Sequence, residues 1–218
     1  MEISEEEIAG LRVEYKHGEL DRDDLFDDPL IQFQAWFEDA VDSEEKDPNA
    51  MTLATVHPDG GPSCRIVLLK GLDERGFQFF TNMHSHKGSE IALNPLVSLN
   101  FYWRKLERQV TVRGRAIELS RDEVTDYFKS RPYGNQIGAW TSEQSTVIPN
   151  REWLERRKLE FQERFPEGCV PLPDHWGGYV VEPFEIEFWQ GRPCRLHDRF
   201  RYRHSGDDEG WLIERLSP

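Results

Sequence analysis

Near the C-terminus, the stretch EFWQGRPCRLHDRF (residues 187–200) sets three arginines, a histidine and a tryptophan into a chain of net charge −14. Read as a strand, alternate side chains share a face, so Arg195, His197 and Arg199 point the same way. Cations on one face repel each other unless an anion lies among them. The pattern therefore predicts an anionic ligand.

Other residues repeat the theme. Arg65 and Lys70 bracket the apolar run RIVLLK, which fits either a ligand site or the two surface ends of a strand. In TNMHSHKGSEIALN, Thr81 ends a strand, and Ser85, His86 and Lys87 fall where a short helix begins. Backbone N–H groups, hydroxyls and a lysine at such a helix start suit a phosphate, although a plain N-cap with solvated charges explains them equally well. Tyr127 and Arg131, four residues apart on one helix, are neighbours that can both donate to a phosphate or simply touch each other. Gln144 and Ser145 offer uncharged hydrogen-bonding groups in a loop, and Trp189 fits either a core or a site. Together these separate cationic and polar clusters predict a site for two phosphorylated small molecules.

The composition narrows the class. Over 218 residues, 37% are hydrophobic and 31% charged, as in a water-soluble globular chain long enough to bury a core. No run approaches the ~20 apolar residues of a membrane span, and the acidic N-terminus lacks the basic and apolar regions of a signal peptide, so a cytoplasmic location is expected. With 27 basic against 41 acidic residues, the field disfavours nucleic acid and anionic membranes as partners. Cys64, Cys169 and Cys194 are odd in number and widely spaced, which predicts reduced thiols. His84 and His86 lack a third ligand, so no metal is expected. Only seven of the 27 basic residues are lysine, a pattern that raises the hypothesis of salt adaptation.

The elements that must position these groups follow from capping and periodicity. Ser4 and Glu7 form a capping box, with Ile8, Leu11 and Tyr15 at helical spacing and Gly18 as the stop. Asp28 followed by Pro29 starts a second helix, with an apolar stripe of Leu30, Phe33, Trp36, Phe37, Ala40 and Val41. From residue 50 the period changes to that of strands: MTLATV, SCRIVLLK and FQFFTN, separated by turns, then LVSLNFYW and ERQVTVRGRAIEL, with Gly114 as a candidate bulge. Helices are expected at about 85–93, from Ser120, and at about 150–165. Strands return in GGYVVEPFEIEFWQG, CRLHDRFRYR and GWLIERL. About seven strands joined by tight turns predict an antiparallel barrel with peripheral helices. An N-terminal helical segment (1–48) is expected to pack on the barrel domain (49–218).

The ordered motifs RIVLLK, FFTN, NPLVSLNFYW, LERQVTVRGRA, YFKSRP, QIGAW, PLPDHWGGY, EFWQG and RLHDRF closely resemble the pyridoxamine 5′-phosphate oxidase family, from about residue 8 to the C-terminus. The resemblance implies a mainly β, FMN-binding split barrel of antiparallel Greek-key type, working as a homodimer with FMN at the subunit interface. It implies oxidation of pyridoxine 5′-phosphate or pyridoxamine 5′-phosphate to pyridoxal 5′-phosphate by O2, giving H2O2 and, from the amine, NH3. By the same resemblance, Arg65, His86 and Lys87 hold the FMN phosphate. Ile66, Val67, Leu68, Lys70, Phe80 and Thr81 line the cofactor, and Gln109, Gln144, Ser145, Trp189 and Arg199 complete its site. Lys70, Tyr127, Arg131 and Asn135 clamp the substrate phosphate. Arg195 and His197 lie over the substrate ring as catalytic residues, and Arg12 and Tyr15 belong to the closing N-terminal segment.

This chain departs from the family pattern at three positions. His86 stands where arginine is frequent, which predicts FMN binding that weakens as pH rises through its titration. Asn135 replaces a common serine, and Val13 a common basic residue. Two rival functions remain. A reductase of another flavin or quinone would keep the FMN positions but would not need Lys70, Tyr127, Arg131, Arg195 and His197 together. A non-catalytic pyridoxal phosphate carrier would not need the FMN residues.

Overall fold

The computed structural model describes residues 4–11, 14–16, 18–204 and 210–218. Its contacts form two compact units, each with its own core. One comprises the chain up to Pro48 with Asn100–Val112 and Glu185–Pro218; the other comprises Asn49–Leu99 with Arg113–Phe184.

The first unit begins with α1 (Glu5–Gly10), whose capping box between Ser4 and Glu7 is formed as expected. The helix ends at Gly10 rather than Gly18, and Leu11 is 82% exposed. None of its residues is buried, and so short a helix has little to sustain it without packing. In α2 (Pro29–Asp42) the Asp28 carboxylate accepts from the Leu30 N–H at 2.8 Å, and the proline occupies the first turn, where no N–H is needed. Phe33, Trp36 and Ala40 are buried along its stripe, whereas Val41 is half exposed. Phe33 lies 4.9 Å from Phe101 and Trp36 lies edge-on to Phe188 at 5.2 Å, so the core of this unit is largely aromatic. The polar tips find partners: Trp103 Nε1 donates to the Pro48 carbonyl at 2.9 Å and the Tyr202 hydroxyl to that of Phe26 at 2.8 Å.

The second unit holds β1 (Ala50–Val56), β2 (Pro62–Leu68), β3 (Gly71–Asp73), β4 (Gly76–Asn82) and α3 (His86–Leu93). It also holds α4 (Arg121–Ser130), α5 (Tyr133–Thr141) and α6 (Arg151–Arg164). The strands β5 (Leu96–Trp103), β6 (Arg108–Glu118) and β7 (Trp176–Gln190) run on from one unit into the other, and β8 (Asp198–His204) and β9 (Trp211–Leu216) belong to the first. The hydrogen-bonded order is β2-β1-β5-β6-β7-β4-β3, with β8 pairing β7 and β9 pairing β8. The β1/β2, β3/β4, β4/β7, β7/β8 and β8/β9 ladders are all antiparallel, as the tight turns require.

Two elements escaped the sequence reading. β3 is only three residues long, and α5 has no side-chain N-cap to announce it. Gly114 sits within β6 where a Cβ would meet the Glu182 carbonyl at 2.4 Å, so it serves a close backbone approach. The three cysteines are free and exposed. Among the described residues no helix is long and apolar enough to cross a membrane.

Candidate active site

A cavity of about 620 Å³ lies within the second unit. β2 supplies Arg65, Ile66, Val67 and Leu68, with Lys70 just beyond its end, and β4 supplies Phe80 and Thr81. Lys87 comes from α3, Tyr127 and Arg131 from the end of α4, Asn135 from α5, and Gln144 from the loop that follows. Twelve of the residues singled out in the sequence thus converge. Asn82, Ser130, Pro132 and Trp176 complete the lining. Of these, Trp176 had a signal, since it stands beside a Gly-Gly pair inside one of the family-like motifs.

At one group of side chains, Lys87 is buried and its Nζ donates to Gln144 Oε1 at 3.0 Å and to Ser85 Oγ at 3.3 Å. Burial pushes the Lys87 ammonium below its ordinary pKa, and the neighbouring Arg65 charge adds to this, while Glu90 opposes it. Thr81 Oγ1 reaches the same Gln144 oxygen at 3.5 Å. The local backbone is set by α3: Ser85 Oγ caps the Gly88 N–H at 3.4 Å. A Cβ on Gly88 would lie 2.1 Å from the Met83 carbonyl, so only glycine permits this approach.

At a second group, the Tyr127 ring stacks on Phe80 with centroids 3.7 Å apart and planes 11° apart. Arg131 is the C-cap of α4, with extended backbone, rather than a residue of the helix itself. Its guanidinium carbon lies 4.2 Å over the Trp176 ring. Burial lowers its pKa and raises that of Tyr127, and the Tyr127–Arg131 interaction opposes both shifts. Arg131 Nη1 is buried and has no hydrogen-bond partner among the described residues. An unpaired buried guanidinium nitrogen is costly, so this position suits an anionic acceptor.

A separate cluster lies in the first unit. Trp189 on β7 packs against His197 at 4.5 Å, and Tyr15 meets both rings edge-on, at 5.6 and 5.5 Å. Here the strand reading fails. Arg195 closes a 3-10 turn (Pro193–Arg195) with Cys194 and Arg195 at φ 57° and 61°, and β8 begins only at Asp198. Pro193 cannot donate to a ladder, and the left-handed pair after it breaks the alternation, so Arg195, His197 and Arg199 do not share one strand face. The turn brings His197 back on itself, and its Nδ1 accepts from the Arg192 N–H at 3.0 Å. Burial and then the Arg195 charge lower the His197 pKa, and Asp198 opposes them. Arg199, opposite Trp189 across the ladder, is held bidentately by Glu187 at 2.8 and 2.9 Å.

His86, Ser145 and Gln109 are not among the residues that line this cavity. The His86 N–H donates to Ser145 Oγ at 3.2 Å, with both residues exposed and Ser145 at φ 75°. Gln109 Nε2 reaches Thr111 Oγ1 at 3.4 Å on β6. Arg12 and Val13 fall outside the described residues.

Comparison with known proteins decides the family. Residues 37–164 match the profile described as pyridoxamine 5′-phosphate oxidase, and residues 176–218 match the pyridoxine 5′-phosphate oxidase C-terminal dimerisation region. The chain belongs to the pyridoxamine 5′-phosphate oxidase family. It is 54% identical over 215 residues to the pyridoxine/pyridoxamine 5′-phosphate oxidase of Salinibacter ruber, covering 97% of this chain and 99% of that one. It is likewise 54% identical over 211 residues to that of Paraburkholderia xenovorans, with the same coverage.

Among solved structures, PhzG from Burkholderia lata, in complex with tetrahydrophenazine-1-carboxylic acid, superposes with a TM-score of 0.84 at 31% identity, over 90% of this chain and 95% of that one. A pyridoxamine 5′-phosphate oxidase-related, FMN-binding protein from Nostoc punctiforme shares the fold at a TM-score of 0.69 and 17% identity, over 85% and 97% of the two chains. The fold is thus the split barrel with peripheral helices that the resemblance implied, and this pyridoxamine 5′-phosphate oxidase family member is an oxidoreductase.

Proposed function

We propose that this chain oxidises pyridoxine 5′-phosphate or pyridoxamine 5′-phosphate to pyridoxal 5′-phosphate, the final step of vitamin B6 coenzyme synthesis and salvage. FMN is the cofactor and O2 the electron acceptor, giving H2O2 and, from the amine with water, NH3. The observation that carries this reading is one cavity lined by two sets of cations, Arg65 with Lys87 and Lys70 with Arg131, in a chain of net charge −14. Relatives bearing the oxidase name at 54% identity over nearly the whole chain support it.

The donor set fits FMN. The Arg65 charge lowers the Lys87 pKa even with Glu90 opposing it, a repulsion that a phosphate ester between the two would relieve, and Ile66 and Leu68, 64% and 41% exposed, offer apolar surface to a flat ring. When bound, FMN supplies the two-electron acceptor that the substrate's C4′ carbon requires. The protein's part is positioning. Arg131 Nη1, Lys70, the Tyr127 hydroxyl and Asn135 take the substrate phosphate, a handle remote from the reacting carbon.

Burial and the Arg195 charge lower the His197 pKa, which favours the neutral ring, and its Nδ1 is an acceptor. Its proton therefore sits on Nε2, which makes it a donor that orients the substrate rather than a base. Arg195 supplies the fixed positive charge over the substrate ring. Arg199 retains one N–H on each of Nη1 and Nη2 for the cofactor after Glu187 and Ser217 take the others. The working form is a cytoplasmic homodimer built through the 176–218 region, with FMN at the subunit interface.

The test is anaerobic addition of pyridoxine 5′-phosphate, and separately of pyridoxamine 5′-phosphate, to the FMN-loaded protein while flavin absorbance is followed. Bleaching that reverses in air is expected. Bound FMN that neither B6 phosphate bleaches would move the protein to another flavin chemistry, and failure to bind FMN would leave only a carrier.

A further inference from the structure

Glu90 lies on α3 one turn after Lys87 and is only 3% exposed, although no part of the chemistry above uses it. Its carboxylate accepts from three donors: Ser63 Oγ at 2.9 Å, Arg65 Nη2 at 3.0 Å, and the Thr55 hydroxyl. Thr55 Oγ1 in turn accepts from Arg65 Nη1, which also makes 3.4 Å contacts with the carbonyls of Leu53 and Ser63.

The outer end of the Arg65 fork, formed by its two terminal nitrogens, is therefore occupied. Its Nε–H donor has no partner among the described residues, and together with the second Nη2–H it forms the edge that binds a phosphate bidentately. A guanidinium held at one end keeps its other edge in a fixed direction, whereas a free arginine must lose rotamer freedom when it binds.

A buried carboxylate next to an anion site also repels the anion, so two effects compete. The repulsion comes from the adjacent side of the guanidinium, since Nη2 is shared between Glu90 and the ligand edge, and the Arg65 charge offsets it. The fixation acts on the ligating group itself. Glu90 also offsets the mutual repulsion of Arg65 and Lys87, the effect already seen in its opposition to the lowered Lys87 pKa.

We propose that Glu90 is a positioning residue: with Thr55 and Ser63 it fixes the Arg65 fork and balances the Arg65–Lys87 pair, so that the phosphate-ester cradle is formed before its ligand enters. This inference rests on the cavity being the FMN site proposed above.

The experiment measures dissociation constants of the flavin-free full-length chain for FMN and for riboflavin, which lacks the phosphate, by quenching of flavin fluorescence. The parent protein, Glu90→Gln and Ser63→Ala are compared, with thermal melts as a folding control. The parent should prefer FMN. Glu90→Gln should lose about tenfold in FMN affinity, the scale of one charge-assisted hydrogen bond, while riboflavin binding is unchanged. Ser63→Ala, which removes one anchor of Glu90 without touching the Arg65 fork's charge, should lower the FMN-to-riboflavin preference in the same direction by less.

An unchanged preference in Glu90→Gln, or tighter FMN binding, would overturn the inference while leaving the site intact, because repulsion would then have won. If Glu90→Gln does not fold, an unchanged preference in Ser63→Ala overturns it instead. A parent protein that binds FMN no better than riboflavin would overturn the phosphate reading of the cavity itself.

Discussion

At the scale of single residues, the site is organised by groups that lack a partner or have been moved from their ordinary charge state. Arg131 is the sharpest case, because its Nη1 is buried and unpaired while its plane rests on Trp176. Replacing it with methionine keeps much of the packing and removes the charge. KM for pyridoxine 5′-phosphate should rise about 10- to 150-fold, the equivalent of the ~1.5–3 kcal/mol of a charge-assisted hydrogen bond, with kcat less affected. Steady-state kinetics check this, and an unchanged KM would reduce Arg131 to a stacking partner of Trp176. His197 carries a second expectation. Its pKa is lowered first by burial and then by Arg195, so its NMR titration midpoint should lie below the ordinary ~6.5. In Arg195→Gln the midpoint should move up part of the way only, since the larger cause remains. A full return to the ordinary value would mean that charge rather than burial dominates.

At the scale of elements, the cavity depends on where helices begin and end. α4 delivers Tyr127 and Arg131 from its C-terminal end, and its N-terminus is fastened by Ser120 and Glu123, with Arg75 bridging Asp73 and Glu123 at 2.7 Å each. Hydrogen bonds from Ser120 and Arg75 hold the Glu123 carboxyl near a pKa of about 2, below its ordinary 4.5. A carboxyl with a depressed folded-state pKa binds fewer protons folded than unfolded, so its stabilisation is present above 4.5 and is lost as pH falls towards 2. Denaturant melts of Glu123→Gln should therefore show a loss of stability at pH 7 that shrinks through that window. A constant difference from pH 7 to 3 would contradict the assignment. The effect is modest, because the pair is partly exposed and solvent-screened.

At the scale of the whole molecule, 41 acidic against 27 basic residues produce self-repulsion that salt should relieve. Opposing this are surface ion pairs such as Arg201 and Arg203 with Glu214 at 2.8 and 3.0 Å, which salt weakens. Exposed pairs contribute little individually, so the net field should win and Tm should rise between dilute buffer and 0.5 M KCl. A fall in Tm would show that the ion-pair networks outweigh the excess charge, and would remove the argument for salt adaptation.

Caps and strand runs are local or period-based signals, and from them the sequence alone determined most of the strands, whereas the family and several of the twelve residues that meet in one cavity came through the ordered motifs and the resemblance they carry. α2 is an example: Asp28, Pro29 and the aromatic stripe specify its start and its buried face without reference to anything distant. Three features needed the tertiary structure. α1 stops at Gly10 with Leu11 exposed, and Tyr15 packs against Trp189 and His197 outside any helix, which no local pattern can report. The Arg195–His197 segment leaves the strand period because Pro193 and two left-handed residues turn it, so alternation was the wrong rule there. Glu90, 25 residues along the chain from Arg65, reads as one more charge in a solvated helix; only the fold of β1, β2 and α3 places its carboxylate against that guanidinium. Side-chain chemistry and period are written in the chain, whereas pairing between distant residues is decided by packing.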